Sequence, residues 1–329
     1  MKTPQPIIEI VSTGRFLPPR IMTNDDISKI VETNDDWIVE MTGIRERRIA
    51  DDMGAADMGA EASRSAMKKA QVEPGEVDLI VLATATPDRW RPSPACDTQA
   101  LLGATTAVAF DVCAACSGWM YALTVAEGMV AAKRAEIALV VATEKMSAIV
   151  DWTDRKTCVL FGDGAGAAVV RPARGDRGLL SSYLRSDGRM GDLLYRPAGG
   201  ARHPMSAEVL ASGDHLVKME GREVFKNAVR SMSEAADFAL KQAGLRAEDI
   251  DLVVPHQANI RIIEATAKYV GIPMAKVFVN VDRFGNMSSA TIPVALDEAV
   301  EQGRLRPGMS VLSVTFGAGF TWGAMVLRW

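Results

Sequence analysis

The sequence predicts a layered α/β fold built from two duplicated halves, and three observations support this prediction. The chain has 329 residues, 48% of them hydrophobic and 24% charged, which is the balance of a globular protein with a large core. Apolar, β-branched segments alternate with alanine-rich segments of helical character along the chain. The third observation is an internal repeat.

Three segments of the first half recur in the second half in the same order: KKAQVEPGEVDLIVLATATP (68–87) as KQAGLRAEDIDLVVPHQANI (241–260), TAVAFDV (106–112) as KVFVNVD (276–282), and EIALVVATE (136–144) as MSVLSVTFG (309–317). Asp251 lies 173 residues after Asp78, and Asp282 lies 171 residues after Asp111. A nearly constant offset indicates a duplication rather than two unrelated domains. We therefore predict an N-terminal half over residues 1–172 and a C-terminal half over residues 173–329.

Each half is predicted to alternate buried strands with helices. The clearest helical segments are 57–70, 223–243 and 291–303. Continuous apolar strands that are separated by helices are typical of mostly parallel sheets buried on both faces. The segment 171–215 is rich in Gly, Arg and Ser, and we expect it to form a crossing strand followed by a surface excursion that acts as a lid.

Composition excludes several classes of protein. The formal net charge of −4 gives no sign of a nucleic-acid partner. The first residues, MKTPQPIIEI, lack the apolar core of a signal peptide, and no apolar run approaches the roughly 18 residues of a membrane span. Four cysteines do not make a disulfide framework and fit a reducing cytoplasm. The three histidines are far apart in sequence, which argues against a zinc site: His203, His215 and His256.

The stretch CAACSG (113–118) poses the main chemical question. Its two cysteines are a redox pair, half of a metal site, or a nucleophile and a packing neighbour. No second pair has zinc-ribbon spacing, and apolar flanks disfavour two exposed redox thiols. Cys116 is predicted to begin the helix 117–134, where free N–H groups and the helix dipole stabilise a thiolate. We expect Cys113 to pack beneath the strand end. The other two cysteines are expected to be packing residues: Cys96 and Cys158.

The duplication predicts that loops after equivalent strands converge near the axis that relates the halves. Those loops are CAACSG (113–118), PHQAN (255–259), RFGNMSS (283–289) and FGAGF (316–320). Taken singly, Cys116 is explained as a small buried hydrophobe, His256 as a rim residue and Asn286 as a turn residue. Taken together on facing loops, the three residues predict a catalytic site.

Five motifs resemble the β-ketoacyl-acyl carrier protein synthase III family of the thiolase superfamily: FDVCAACSGWMYAL, VPHQANIRIIEATAK, NVDRFGNMSSATIP, FGDGAGAAVV and TFGAGFTWGA. The resemblance extends from about Ile8 to Trp329. It implies a thiolase-like five-layered αβαβα fold and a homodimer. The combination of Cys, His and Asn also separates this family from the elongating synthases, whose site has one Cys and two His.

The resemblance implies a decarboxylating Claisen condensation between a short acyl-CoA and malonyl-acyl carrier protein. Cys116 would attack the acyl-CoA thioester and carry the acyl group. Its own N–H and that of Ala318 would hold the oxyanion, while His256 and Asn286 would hydrogen-bond the enolate oxygen left by decarboxylation. No metal or redox cofactor is expected, and the coenzyme A thioester is a substrate.

Binding residues are also carried over from the resemblance. The adenine-stacking pair of the family matches Trp37 and Arg155, and Asn259 matches a residue near the pantetheine arm. Three basic residues match positions that family members use against the acidic carrier protein: Lys226, Arg261 and Lys268. The alternative for these three is an ordinary solvated helix face.

Two positions depart from the family pattern. Met41 stands where close relatives have an arginine that contacts coenzyme A, so we expect weaker or rearranged contacts there. Arg91 stands where relatives commonly have an aromatic residue that caps the acyl pocket of the neighbouring subunit. Inside that pocket, Arg91 would favour an acyl tail that ends in a carboxylate. The alternative is that Arg91 turns to solvent or pairs with Asp88, while Trp90 caps the pocket.

The sequence therefore predicts an acyltransferase that initiates fatty-acid synthesis by giving a 3-oxoacyl-acyl carrier protein. One alternative is a specialised starter, such as a dicarboxylic acyl-CoA for pimeloyl and biotin precursor synthesis, or an acyl transfer in secondary metabolism. Another is a non-catalytic module that binds carrier protein, against which the intact Cys116, His256 and Asn286 argue.

Overall fold

The computed structural model describes residues 4–329, so the first three residues of the predicted N-terminal half lie outside the described residues. The strands are β1 (Ile8–Phe16), β2 (Arg20–Thr23), β3 (Glu46–Ile49), β4 (Leu79–Ala83), β5 (Val108–Val112), β6 (Ala138–Lys145), β7 (Asp163–Pro172), β8 (Gly178–Ser186), β9 (Leu194–Tyr195), β10 (Lys218–Met219), β11 (Leu252–Val253), β12 (Ser310–Gly317) and β13 (Thr321–Arg328). The helices are α1 (Asn24–Ser28), α2 (Asp35–Thr42), α3 (Ala55–Ala70), α4 (Pro94–Leu102), α5 (Gly118–Ala131), α6 (Ala207–Ser212), α7 (Gly221–Ala243), α8 (Ile260–Val270), α9 (Val281–Phe284) and α10 (Thr291–Glu301).

Two sheets form the centre of the molecule, and their strand orders correspond. The first sheet has the order β1-β7-β6-β4-β5, with β4 parallel to β5 and β6 and with β7 antiparallel to its neighbours. The second sheet has the order β8-β13-β12-β11, with β11 parallel to β12 and with β13 antiparallel to its neighbours. The same succession of parallel and antiparallel pairs is what a duplicated unit would give.

Helices form three layers around the two sheets. The outer layer on the first sheet is α3 and α4, the central layer is α5 and α10, and α7 with α8 covers the second sheet. Apolar side chains fill each interface, because both faces of each sheet are covered. The five-layered αβαβα fold predicted from the sequence is confirmed. Among residues 4–329, no helix is both long enough and apolar enough to cross a membrane.

One predicted strand is absent from the structure. The segment 276–282 carries a single bridge, between Val277 and Val253, and turns into α9 at Val281. The Gln257 side chain explains this, because its Oε1 accepts the backbone N–H of Asn280 at 3.0 Å and of Val281 at 3.2 Å. Side-chain hydrogen bonds thus satisfy groups that a neighbouring strand would otherwise pair.

The excursion between the halves contains several short elements. β8 joins the second sheet, as the predicted crossing strand, and the later residues form α6 and a ribbon of β9 with β10. A lid function for this segment stays a prediction. The boundary between residues 172 and 173 also stays a prediction, and it coincides with the end of β7 at Pro172.

Candidate active site

One cavity of about 710 Å³ is lined by Cys116, His256 and Asn286. Cys116 lies in the turn between β5 and α5, His256 follows β11, and Asn286 lies between α9 and α10. Three separate loops from the two halves therefore place a thiol, an imidazole and a carboxamide at one cavity. This is the juxtaposition that the duplication predicted.

The turn that holds Cys116 is tightly packed. Ala115 has a positive φ of 46°, and Cys116 is in the 3₁₀ turn that leads into α5. The Thr315 hydroxyl donates to the Cys116 carbonyl at 3.1 Å. A Cβ on Gly317 would lie 2.7 Å from the Cys116 nitrogen, so only glycine fits beside the nucleophile. Residues of the second half thus fix the backbone of Cys116.

Burial raises the pKa of the Cys116 thiol to about 12. A hydrogen bond with the Ser288 side chain acts in the opposite direction, and the Glu144 carboxylate raises the pKa further. Desolvation therefore outweighs any contribution of the helix start. Burial thus acts against the thiolate that the helix start is predicted to stabilise, although Cys116 is half-buried and lines the cavity.

The other cysteines are free and differ in burial. Cys113 is exposed, so the prediction that it packs beneath the strand end is wrong. The reason is that β5 is the edge strand of its sheet, and Ala114 takes the buried position instead. Cys158 is buried and Cys96 is half-buried, which agrees with packing roles.

His256 is buried and neutral. Its backbone N–H donates to the Val314 carbonyl at 2.8 Å, which extends the pairing with β12 beyond the end of β11. The ring nitrogen Nδ1 lies 2.6 Å from the Thr291 hydroxyl oxygen. Burial lowers the pKa of His256 to about 3, so the uncharged imidazole is the form present near neutral pH.

Hydrogen bonds on both sides orient Asn286. Its backbone N–H donates to the Leu160 carbonyl at 2.8 Å, and its carbonyl accepts the N–H of Gly162 at 3.2 Å. Its side-chain Oδ1 accepts the Ser288 N–H at 2.8 Å, which leaves the Nδ2 amide group to donate elsewhere. Gly285 precedes it with φ of 64°, and a Cβ there would lie 2.9 Å from the Leu160 oxygen.

The proposed backbone donor at Ala318 follows Gly317, which lines the cavity, whereas Ala318 is not among the lining residues. Ala318 is not among the described non-glycine residues with positive φ, so alanine fits this backbone without strain. Its role as an oxyanion donor stays a prediction.

Trp37 lines the cavity, and the Arg155 guanidinium carbon lies 4.6 Å from the centroid of its ring. Arg155 also donates to the Glu32 carbonyl at 3.1 Å. The two side chains predicted to hold an adenine are therefore in direct contact with each other. A ring inserted between them would have to separate them.

Asn259 lines the cavity and caps α8. Its Oδ1 accepts the Arg261 N–H at 2.8 Å, and its Nδ2 donates to the Met41 carbonyl at 2.9 Å. Met41 also lines the cavity, and its sulfur lies 3.5 Å from Nη1 of Arg261. Arg261 thus occupies the region beside the residue that departs from the family pattern. Lys226 and Lys268 are exposed and do not line the cavity.

Sequence reasoning missed several polar residues around the cavity. Lys156 and Arg222 line the cavity, as Arg261 does, so three cationic side chains border it. The buried Glu144 and the turn Ser288–Ala290 lie behind Cys116. In the sequence, that turn was indicated only by the run of hydroxyl residues in the motif SSATIP, which follows Asn286.

Arg91 is exposed and does not line the cavity of its own chain. Within residues 4–329 its guanidinium forms no ion pair, and the Asp88 carboxylate instead accepts the N–H groups of Ala55 and Ala56 at 2.5 and 2.9 Å. Of the predicted alternative, the turn of Arg91 to solvent agrees with its exposure, whereas the Arg91–Asp88 pair is absent from residues 4–329, because Asp88 caps α3. The adjoining Trp90 is 73% exposed.

Comparisons with known proteins agree with this geometry. The family model for 3-oxoacyl-[acyl-carrier-protein (ACP)] synthase III matches residues 110–188, and the model for its C-terminal part matches residues 240–329. The chain is 51% identical over 323 residues to the beta-ketoacyl-[acyl-carrier-protein] synthase III of Symbiobacterium thermophilum, covering 98% of each chain. It is 48% identical over 321 residues to that of Caldanaerobacter subterraneus subsp. tengcongensis, covering 97% of each chain.

A solved structure has the same fold. The 3-oxoacyl-[acyl-carrier-protein] synthase III from Aquifex aeolicus VF5 superimposes with a TM-score of 0.92 at 44% identity. The match covers 98% of the present chain and 100% of the other.

Proposed function

Because this chain belongs to the 3-oxoacyl-[acyl-carrier-protein] synthase III family, it is an acyl-transferring condensing enzyme of fatty-acid synthesis, and we propose that Cys116, His256 and Asn286 perform its reaction. The observation that carries this proposal is that the three side chains line one cavity although they come from separate loops. The proposed reaction joins a short acyl-CoA starter to malonyl-acyl carrier protein and releases CO2.

In the first half-reaction, the Cys116 sulfur attacks the thioester carbon of the acyl-CoA. The new sulfur–carbon bond replaces the bond to coenzyme A, and the thiol proton ends on the departing coenzyme A sulfur. The high pKa of Cys116 supports this order of events, because proton loss is coupled to attack rather than completed beforehand. The backbone N–H groups of Cys116 and Ala318 are proposed to hold the oxyanion.

In the second half-reaction, malonyl-acyl carrier protein binds beside the acyl-cysteine and loses CO2. The electron pair of the broken carbon–carbon bond passes to the thioester, which becomes an enolate. His256 Nε2 and Asn286 Nδ2 are proposed to donate to its oxygen. The enolate carbon then attacks the acyl-cysteine carbonyl, and the Cys116 sulfur leaves and takes up a proton from water, which replaces the one lost to coenzyme A. The product is a 3-oxoacyl-acyl carrier protein.

All of these steps use thiol, imidazole, carboxamide and backbone groups of the chain, so the proposal requires no resident metal or redox cofactor. Coenzyme A enters as a substrate thioester. Trp37, Arg155 and Asn259 are proposed to bind it, since Trp37 and Asn259 line the cavity and Arg155 contacts Trp37. Addition of a metal chelator should leave the condensation rate unchanged.

The carrier protein is proposed to dock over α7 and α8. Lys226, Arg261 and Lys268 are exposed on these helices, and Arg261 also lines the cavity. Their positive charge suits an acidic partner. This local charge is opposite in sign to the net charge of the chain, which is −4.

The proposed homodimer is supported by the edge strand β5. It ends the first sheet with no further strand on its outer side among residues 4–329, and Val108 is 57% exposed there. An exposed apolar edge strand suits pairing with a second copy. A cytoplasmic location is proposed because the four cysteines are free.

A second candidate concerns the starter. The observation that favours it is the exposed Arg91 guanidinium, which forms no ion pair within the described chain. Directed into a partner subunit's acyl pocket, it would favour a dicarboxylic acyl-CoA, because a paired carboxylate offsets its desolvation. Rates with acetyl-, hexanoyl- and glutaryl-CoA test this. The rate with glutaryl-CoA must be the highest of the three for the wild type and must no longer be the highest for Arg91→Phe. A preference for acetyl-CoA in both proteins would contradict the specialised starter.

The experiment that tests the proposed function is a condensation assay with malonyl-acyl carrier protein and a panel of acyl-CoA starters. We expect a 3-oxoacyl-acyl carrier protein and one CO2 per turnover with at least one starter. A protein that binds carrier protein but forms no product with any starter would be a non-catalytic module.

A further inference from the structure

Arg47 in β3 is a fully buried cation. Within residues 4–329 its hydrogen-bond acceptors are three neutral oxygens: Nη1 donates to the Met22 carbonyl at 3.2 Å and to Asn24 Oδ1 at 2.9 Å, and Nη2 donates to the Val159 carbonyl at 2.8 Å. Its Nε has no hydrogen-bond partner in the same part of the chain. Burial lowers the pKa of Arg47 to about 10, so the side chain is still charged near neutral pH.

Packing alone does not explain a cation at this position. An apolar side chain of similar volume would fill the same space without the cost of burying a charge, and such replacements are often neutral or stabilising. What the guanidinium adds is a planar fork of donors, which reaches acceptors on different segments at the same time. The role of Arg47 therefore depends on the segments that its donors and its stem hold together.

The Val159 carbonyl belongs to a segment that borders the cavity and pairs with Asn286. Val159, Leu160 and Phe161 all line the cavity. The Asn286 N–H donates to the Leu160 carbonyl at 2.8 Å, and Phe161 forms an isolated parallel bridge with Asn286. The hydrogen bond from Arg47 to Val159 thus fixes the cavity wall one residue before the pair that holds Asn286.

The stem of Arg47 packs against both sides of that pair. A Cβ on Gly162 would lie 3.0 Å from the Arg47 Cβ, and a Cβ on Gly285 would lie 3.3 Å from it. Gly162 donates its N–H to the Asn286 carbonyl at 3.2 Å, and Gly285 directly precedes Asn286. Arg47 therefore contacts the residues that hold Asn286, whereas the backbone of Cys116 is held by contacts from the second half.

We propose that Arg47 is a positioning residue that fixes the segment 159–162 and, through it, the Asn286 carboxamide at the cavity. The guanidinium holds the start of this segment, and the stem packs against its end. The use of the carboxamide for an enolate rests on the proposed function. The dependence of Asn286 on Arg47 is a property of the chain itself.

Arg47→Met tests the proposal, because methionine keeps an unbranched stem and removes every donor. Decarboxylation of malonyl thioester should fall at least about tenfold, since a misplacement of about 1 Å costs up to about a hundredfold. Acylation of Cys116 at saturating acyl-CoA should stay within about twofold, because that step does not use the displaced carboxamide. Arg47→Lys should recover part of the decarboxylation rate, because its ammonium group can reach the Val159 carbonyl but lacks the fork that reaches Asn24 as well.

Arg45→Met is the matched control. Arg45 is exposed and lies two residues before Arg47, so both half-reactions should be unchanged in this variant. Equal losses in both half-reactions of Arg47→Met would mean that Arg47 serves folding only, and would overturn the proposal. Full decarboxylation by Arg47→Met would overturn it too, and so would an Arg47→Lys protein no faster than Arg47→Met. If Arg47→Met does not fold, the two half-reactions of Arg47→Lys decide by comparison with the wild type.

Crystal structures of the wild type and of Arg47→Lys supply a readout that does not depend on activity. We expect the Asn286 carboxamide to be displaced in the variant, while Cys116 keeps its position. A carboxamide in the wild-type position would overturn the proposal. A displaced carboxamide in the variant, together with a wild type that has no condensing activity, would refute the proposed function and leave this inference standing.

Discussion

Gly317 lies against the backbone of Cys116 so closely that a Cβ on Gly317 would be 2.7 Å from the Cys116 nitrogen and 3.2 Å from its Cβ. The contact joins the end of β12 in the second half to the nucleophile loop of the first. Any side chain at residue 317 must therefore move the backbone that presents the thiol.

We expect Gly317→Ala to lower the condensation rate at least about a hundredfold, because a shift of about 1 Å at the reacting group has that scale of effect. The free energy of unfolding should fall by about 1–3 kcal/mol, as for other overpacked sites. Rate assays and urea denaturation measure the two effects.

Gly128→Ala is the matched control for that variant. Gly128 lies in α5, the helix that follows Cys116, and a Cβ there meets nothing within 4 Å. The substitution should leave the rate unchanged and stabilise the protein by up to about 1 kcal/mol. A fully active Gly317→Ala protein would show that the backbone at Cys116 tolerates displacement.

Replacement of His256 or Asn286 by alanine should separate the half-reactions. Both variants should still form acyl-enzyme, but decarboxylation of malonyl thioester should fall by about 10²–10³-fold, the cost of removing one oxyanion donor. Mass spectrometry follows the acyl-enzyme and CO2 release follows decarboxylation. His203→Ala, at an exposed position, is the control. Normal decarboxylation in both variants would refute the enolate role.

The high pKa of Cys116 predicts how the thiol reacts with iodoacetamide. Because only the thiolate reacts and burial raises the pKa from its ordinary value to about 12, the alkylation rate should rise about tenfold per pH unit through the neutral range. The measurement uses Cys113→Ala, since that exposed cysteine would otherwise react as well. A rate that is already constant near pH 7 would show that Cys116 is a thiolate at rest.

Trp37 is predicted to contribute to binding of coenzyme A through its ring. Trp37→Ala should raise the KM for acyl-CoA about tenfold, in line with the energy of stacking a base on an aromatic side chain. The KM for an acyl-pantetheine, which lacks the nucleotide, should stay unchanged and serves as the control. An equal rise for both substrates would place Trp37 against the pantetheine arm instead.

The sequence was sufficient to predict the layered fold and to bring Cys116, His256 and Asn286 to one cavity. Both predictions followed from the internal repeat and from short motifs, which are local in the chain. The strand expected over 276–282 does not form, because the side chain of Gln257, from another loop, accepts hydrogen bonds from the N–H groups of Asn280 and Val281. That competition depends on the packed structure.

The protonation of the site could not be predicted from local sequence either, because it also depends on the packed structure. The start of α5 indicated that a thiolate is stabilised at Cys116, but burial raises the pKa of the thiol, and Gly317 of the second half packs against the backbone of Cys116. In the sequence, Thr291 is one small residue among several. Only its distance of 2.6 Å from His256 Nδ1 shows its connection to the site.

The central claim is that Cys116 carries the acyl group, and the mass of its peptide after incubation with an acyl-CoA starter tests this most directly. We expect one acyl group on Cys116 in the wild type, none in Cys116→Ala, and no condensation by that variant. An acyl group on Cys113, together with condensation activity retained in Cys116→Ala, would contradict the assignment of the nucleophile.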